Sequence, residues 1–186
     1  MYNKFIRIWR DFYKTAKLKE IGELHGTAFV LTFILIAFCM SKIEDILTFA
    51  SKFNDSALTI TSLLGAFGIA TITILLTSSS DNIRVAKGKL TKRKDINNKE
   101  ISYFKLLVIR SFYNLLLQLG MLFIAVIYQV LLKFLDNKIL LYIEVFMLLN
   151  MLLTQIFVVI SLYHLLSRDE NEDDDGDNED EDENDN

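Results

Sequence analysis

Proline is absent from the 186-residue chain, and cysteine occurs once, at Cys39. Without proline no helix need lose a backbone donor or kink at a pyrrolidine ring. That argues against the broken helices from which many secondary transporters build ion sites. A single cysteine excludes an intrachain disulfide and a cysteine-based zinc cluster. Inside an apolar run it reads as a small core or lipid-facing residue rather than a reactive thiol. Only two histidines occur, His25 and His164. Even with Glu23 nearby they supply too few ligands for a zinc centre. The chain has no GxxxxGK, GxSxG or HExxH, the patterns that cradle phosphate, expose a serine nucleophile or hold catalytic zinc. No catalytic, cofactor-binding or metal-ligating residue is therefore expected, and no enzyme activity. The N-terminus lacks the short apolar core and small-residue cleavage site of a secretory signal, so no cleaved leader is expected.

What is present is apolar, at 52% of residues, and unevenly spread. Charge collects in residues 1–20, 81–105 and 168–185. Between these blocks lie apolar stretches long enough to cross a bilayer core of about 30 Å, which takes about 20 helical residues. The reading is all-α: a four-helix transmembrane bundle over 21–167 with spans near 24–43, 57–76, 106–132 and 139–166. Basic residues set the orientation, because loops rich in Lys and Arg stay inside. Six lie in 1–20 and eight in the 81–105 loop, with Arg110 and Arg168 near the same side. Only Lys42, Lys52, Lys133 and Lys138 lie on the other side, so both termini are expected in the cytoplasm.

Residues 1–20 read as an amphipathic helix. Tyr2, Phe5, Ile6, Ile8, Trp9, Phe12, Tyr13 and Ala16 fall within an arc of about 160° at helical spacing. Lys4, Arg7, Arg10, Lys14 and Lys17 lie opposite. Aromatic residues facing one way and cations the other describe a helix lying in the membrane interface; docking on the protein's own loops is the alternative. In the second span Thr59, Ser62, Ala66, Ala70, Thr73 and Thr77 stack within about 80° of one face, and Gly65 and Gly68 form a narrow strip beside them. Ser62, Gly65, Ala66, Gly68, Ala70 and Thr73 thus make a packing stripe of the kind that lets helix backbones approach closely in lipid; lining a pore is the other use for such a stripe.

The last two spans carry polar groups at membrane depth. Arg110, Asn114 and Gln118 stand at i, i+4 and i+8, and Glu144, Asn150, Thr154, Gln155 and Ser161 lie within about 140° of one another on the fourth span. Such groups are expensive in hydrocarbon and face the bundle interior or a cavity. Arg110, Asn114, Gln118, Glu144, Asn150 and Gln155 are therefore the candidate intramembrane polar face, opposed across an antiparallel hairpin. Arg110 lies near the cytoplasmic end of its span. Snorkelling to phosphate headgroups is the favoured role there, with pairing to Glu23 or lining an anionic pathway as the alternatives.

Thirteen of the 24 acidic residues follow Arg168, so the rest of the chain carries 11 acids against 20 bases. The tail 168–186 has no apolar residue to bury and repels itself, so it is expected to be disordered. Three roles are open to it: a solubilising appendage, a segment folded back on the basic face, or a ligand for a basic partner. The basic loop is suited to anionic membrane lipid. It lacks interleaved aromatics for base stacking, so direct nucleic-acid binding is not expected.

The stretch from Leu63 to Leu117, LLGAFGIATITILLTSSSDNIRVAKGKL followed by ISYFKLLVIRSFYNLL, resembles small tetra-spanning membrane proteins encoded in bacterial antiphage defence operons. The shared pattern is a Gly-containing span ending in a Ser/Asp-rich turn, then a basic helix and a YFK-LL entry into the next span. Similar proteins include membrane effectors of signalling and abortive-infection systems and the membrane subunit of the Kiwa system. The acidic tail is not part of that pattern. The resemblance implies a non-enzymatic protein of the bacterial inner membrane that forms homo-oligomers, works with a cytosolic defence partner, and senses or perturbs the membrane during infection. From the residues themselves, a small channel or transporter and a membrane anchor that recruits a cytosolic protein stay open.

Overall fold

The computed structural model describes residues 2–40, 45–132 and 138–166. The acidic tail lies outside these residues. Helix α1 (Tyr2–Thr15) is followed by a short helix α2 (Leu18–Ile21), a π-helical turn (Gly22–Gly26) and α3 (Thr27–Met40). Then come α4 (Ile46–Thr77), α5 (Asp81–Gly88), a hairpin of β1 (Leu90–Lys94) and β2 (Glu100–Ser102), α6 (Tyr103–Leu131) and α7 (Lys138–Leu166).

Four helices are long and apolar enough to cross a membrane: Leu18–Phe38, Ile46–Thr77, Tyr103–Leu131 and Ile139–Leu165. At about 1.5 Å per residue, the 32 residues of α4 and the 29 of α6 and α7 exceed a bilayer core. Asp45 starts α4, its carboxylate accepting from the Thr48 N–H at 3.1 Å and from the Thr48 hydroxyl at 2.6 Å. Ser102 caps α6 through the Lys105 N–H. Each cap satisfies a donor that the first turn leaves without an intrahelical partner.

Helix α6 is central. It packs against α4, α7, α1 and α5, and it supplies half of the buried residues of the largest apolar cluster: Leu106, Ile109, Tyr113, Leu117, Met121 and Ala125. A second cluster closes one end of the bundle around Ile36, Ala50, Tyr128, Leu141 and Val145. A third closes the other end, where Ile83 and Ala86 of α5 meet Leu75, Leu107 and Leu165.

The segment 81–105, expected as a basic loop, is folded. Its few apolar residues suffice because Ile83, Ala86 and Ile101 are all buried. The hairpin turn is held by Asp95, whose Oδ1 accepts the Asn97 and Lys99 N–H groups at 2.9 and 3.1 Å and whose Oδ2 accepts from Lys105 Nζ at 2.9 Å. The Lys105 bond holds the Asp95 carboxyl below the usual aspartate range. Asn98 takes a positive φ of 59°, a conformation that asparagine tolerates better than most residues.

Helix α1 docks on the protein over part of its aromatic face. Phe12 is buried and stacks on Tyr113 at 3.6 Å between ring centres, with Trp9 edge-on to the same ring. Phe5, Ile6 and Trp9 remain 47%, 39% and 41% exposed. One side of the aromatic face therefore docks on α6 and the other is left outward.

Candidate functional site

The polar groups that the chain buries form stations along α6 and α7. The first is ionic. Glu20 of α2 accepts from Arg93 of β1 through both guanidinium nitrogens, each at 2.7 Å, and from Arg110 of α6 at 3.1 Å. Its second oxygen also takes the Lys17 N–H at 3.0 Å. The bidentate Arg93 contact matches the planar fork of guanidinium to a carboxylate. Arg93 further donates to the Thr15 carbonyl at 2.8 Å, placing a cation at the C-terminal end of α1 where the helix dipole favours it. The Glu20 hydrogen bonds raise the Arg93 guanidinium above its ordinary value. Arg110 is buried; it reaches Ser161 Oγ at 3.3 Å and sits 4.3 Å over the Phe157 ring.

This corrects the expectation for Arg110. It turns inward to Glu20 instead of snorkelling, because a fixed carboxylate, a hydroxyl and a ring face together replace water around it. Glu23 is not its partner: that residue is exposed and lies 3.7 Å from Lys19.

The second station is a hydrogen-bonded chain. Asn150 Nδ2 lies 2.6 Å from His25 Nδ1, His25 Nε2 lies 3.1 Å from the Tyr13 hydroxyl, and Tyr13 lies 3.4 Å from the Tyr113 hydroxyl. An amide nitrogen can only donate. With the Asn150 amide in this orientation and a neutral ring, His25 Nδ1 accepts and Nε2 donates to the Tyr13 hydroxyl. The π turn makes this geometry. It turns through less angle per residue than the 100° of an α-helix, and it covers the residues from Gly22 through His25. Glu20 and His25, five apart, are thus brought toward one side and both reach the bundle.

The third station joins three amides: Asn114 Nδ2 and Gln118 Nε2 both donate to Gln155 Oε1, the latter at 2.9 Å. Gly68 of α4 makes the space, since a Cβ there would stand 2.8 Å from Gln118 Oε1. Of the candidate polar face, then, Asn114, Gln118 and Gln155 meet one another, Arg110 and Asn150 find other partners, and Glu144 stands apart. Glu144 is fully buried and neither carboxylate oxygen has a partner; the same holds for both amide atoms of Asn54. Thr61 Oγ1, Ser111 Oγ, Asn114 Oδ1, Gln118 Oε1 and Asn150 Oδ1 are also buried without partners. From Ser161 to Glu144 the polar positions of α7 cover about 26 Å.

The small-residue stripe faces the other way. Ser62, Ala66, Ala70 and Thr73 are exposed, Gly65 is half-buried with nothing near its absent Cβ, and only Gly68 packs inside. The hydroxyls of Thr59, Ser62, Thr73 and Thr77 each bond the carbonyl four residues back. Residues overlooked in the sequence are Glu20, Arg93, Tyr13, Tyr113 and Asn54. Glu20 had one signal, as one of only three acids in the first 24 residues.

Beside the ionic station, Ile6, Arg7 and Arg10 of α1 and Ile96 and Asn97 of the hairpin turn line an open groove of about 480 Å³. No known protein family, curated protein or solved structure matches the chain.

Proposed function

We propose that the chain is a multi-pass protein of the bacterial inner membrane, with both termini cytoplasmic, that acts without catalysis in antiphage defence. It self-associates and senses or perturbs the membrane. The observation that supports this reading best is the coupling of a surface helix to the bundle. Helix α1 leaves Phe5, Ile6 and Trp9 outward, yet its end is tied through Arg93 and Glu20 to Arg110 inside α6. A change in how α1 lies on a bilayer therefore acts directly on a buried ion pair. The groove with Arg7 and Arg10 suits an anionic headgroup. The outward stripe on α4, its hydroxyls already satisfied, suits close packing against a second copy. A cytosolic partner would meet the folded basic segment 81–105.

A second reading, a small channel or transporter, is favoured by the line of buried, unpartnered polar atoms along α6 and α7. Four helices enclose little space, so several copies would form the pore. Expression of the gene alone and with its operon neighbours, with membrane potential and plaquing followed, separates the two. Depolarisation only on infection supports the defence reading, and steady solute flux without infection supports the channel. Loss of neither potential nor plaquing protection on deleting α1 would sink the coupling. Reporters fused within 88–98 should read cytoplasm and tags at 50–55 the opposite side.

A further inference from the structure

We propose that Glu144 is a binding site for a small cation, a proton or an alkali ion, held inside the bundle. Its side chain is wholly enclosed, and no donor or cation among the described residues touches either oxygen. An anionic carboxylate without partners is the most costly group that a membrane protein can bury. Something positive must therefore accompany it.

Among the described residues, the surroundings do not supply that charge. Glu144 neighbours Leu141 and Val145 on α7, two members of the cluster that also holds Ile36, Ala50 and Tyr128. Tyr128 is the titratable group that α6 brings into that cluster. On α4, Lys52 and Asp55 are exposed, and Asp55 is engaged with Gln129 at 3.5 Å. The described side chains of α3 include no titratable residue. The π turn contributes Glu23, exposed, and His25, bound to Asn150 nearly two turns further along α7. The charges of α5, Asp81, Arg84 and Lys87, and the α6 cations Lys105 and Arg110 belong to the opposite end.

A second observation points to the same place. Asn54 lies one turn after Ala50 on α4, on the face that enters this cluster. It too is fully buried, with both amide atoms unpartnered. The Gln129–Asp55 contact fixes α4 against α6 at this level. Two helices thus direct unsatisfied polar side chains into one apolar layer. An amide oxygen and a carboxyl directed into one layer can serve together as ligands for an alkali ion, or as acceptor and donor for a carboxyl proton. The inference stands apart from the defence reading and holds whether or not the chain conducts.

The test uses the full-length chain in lipid nanodiscs and two measurements. First, the protein is treated with a hydrophobic carbodiimide. The O–H of a carboxylic acid adds across one C=N bond, oxygen to carbon and proton to nitrogen, and acyl transfer to nitrogen leaves a stable N-acylurea without a leaving group. Peptide mass analysis should find this adduct on Glu144 and not on exposed Asp55, and none in Glu144→Gln. Added sodium that suppresses the adduct, where choline does not, identifies an alkali ion; indifference to sodium with suppression at alkaline pH identifies a proton. Second, thermal unfolding of wild type and Glu144→Gln is compared from mildly acid to mildly alkaline pH, with and without sodium. The difference between the two proteins should change with one of these cations, the wild type losing stability relative to the variant as that cation is withdrawn. A difference that stays constant across pH and sodium overturns the proposal, whatever the labelling shows.

Discussion

Glu20→Ala should be among the most damaging single substitutions in the chain. The carboxylate receives both Arg93 nitrogens, one Arg110 nitrogen and the Lys17 N–H. The side chains of Glu20, Arg93 and Arg110 are only 18%, 18% and 8% exposed. Removing one partner of a buried ion pair costs about 3–5 kcal/mol, because the remaining charge is left without compensation. Here two guanidinium groups would face each other across the gap. Arg110 keeps Ser161 and the Phe157 ring, and Arg93 keeps the Thr15 carbonyl. The lower end, about 3 kcal/mol, is therefore expected, roughly a hundredfold in the unfolding equilibrium. Reversible unfolding in mixed detergent measures it, and protease cleavage between α1 and α3 reports whether α1 detaches. Replacing Arg110 as well, by Met, should recover much of the loss, giving a coupling of about 2 kcal/mol in a double-mutant cycle. Additive single losses, each below about 1 kcal/mol, would refute the reasoning and make the cluster an ordinary surface pairing.

Gly68→Ala, which puts a methyl 2.8 Å from Gln118 Oε1, should cost about 1–3 kcal/mol in the same assay. Gly65→Ala, with nothing within 4 Å, should be neutral or slightly stabilising. Phe12→Ala removes the ring stacked on Tyr113 and should cost about 3 kcal/mol. Phe5→Ala should leave stability unchanged and lower vesicle binding of the purified chain, read from Trp9 fluorescence. The Asp95 carboxyl is held below its usual range by Lys105. Its stabilisation of the turn is present above the ordinary aspartate range and disappears as pH falls through the lower folded-state value. Amide protection at Asn97 and Lys99, corrected for intrinsic exchange, should therefore converge with that of Asp95→Asn in acid, and a persistent gap would show that the carboxylate is not what holds the turn.

The four long helices are legible because each needs only an uninterrupted apolar run, a property of neighbouring residues. The polar positions of α6 and α7 are legible for the same reason, since helical spacing puts Asn114, Gln118 and Gln155 on facing sides. Their partners are not. Glu20 meets Arg93 across 73 positions and Arg110 across 90, a distance over which no periodicity carries information. The fold of 81–105 is hidden because three buried apolar residues among many cations look like a solvated loop. The direction of the α4 stripe is hidden as well: small residues are equally at home against a helix or against lipid, and here Gly68 alone of the stripe joins Thr61 and Thr71 on the inner face.

The wide turn at Gly22–Gly26 gives this chain an unusual tolerance at one point of its first apolar helix. A π turn holds one residue more than the helix on either side requires. Deleting one residue inside it leaves a continuous α-helix, with no break for a protease or a chaperone to find. The shortened chain would retain a fourth apolar segment of nearly the same length. The helix on either side would keep nearly the same rotation, because removing the extra residue restores an ordinary α-turn. Glu20 and the histidine would still address the bundle. A deletion inside α3 has no such slack: it would turn one side by about 100° against the other and leave span prediction untouched while disconnecting the surface helix from the rest of the bundle.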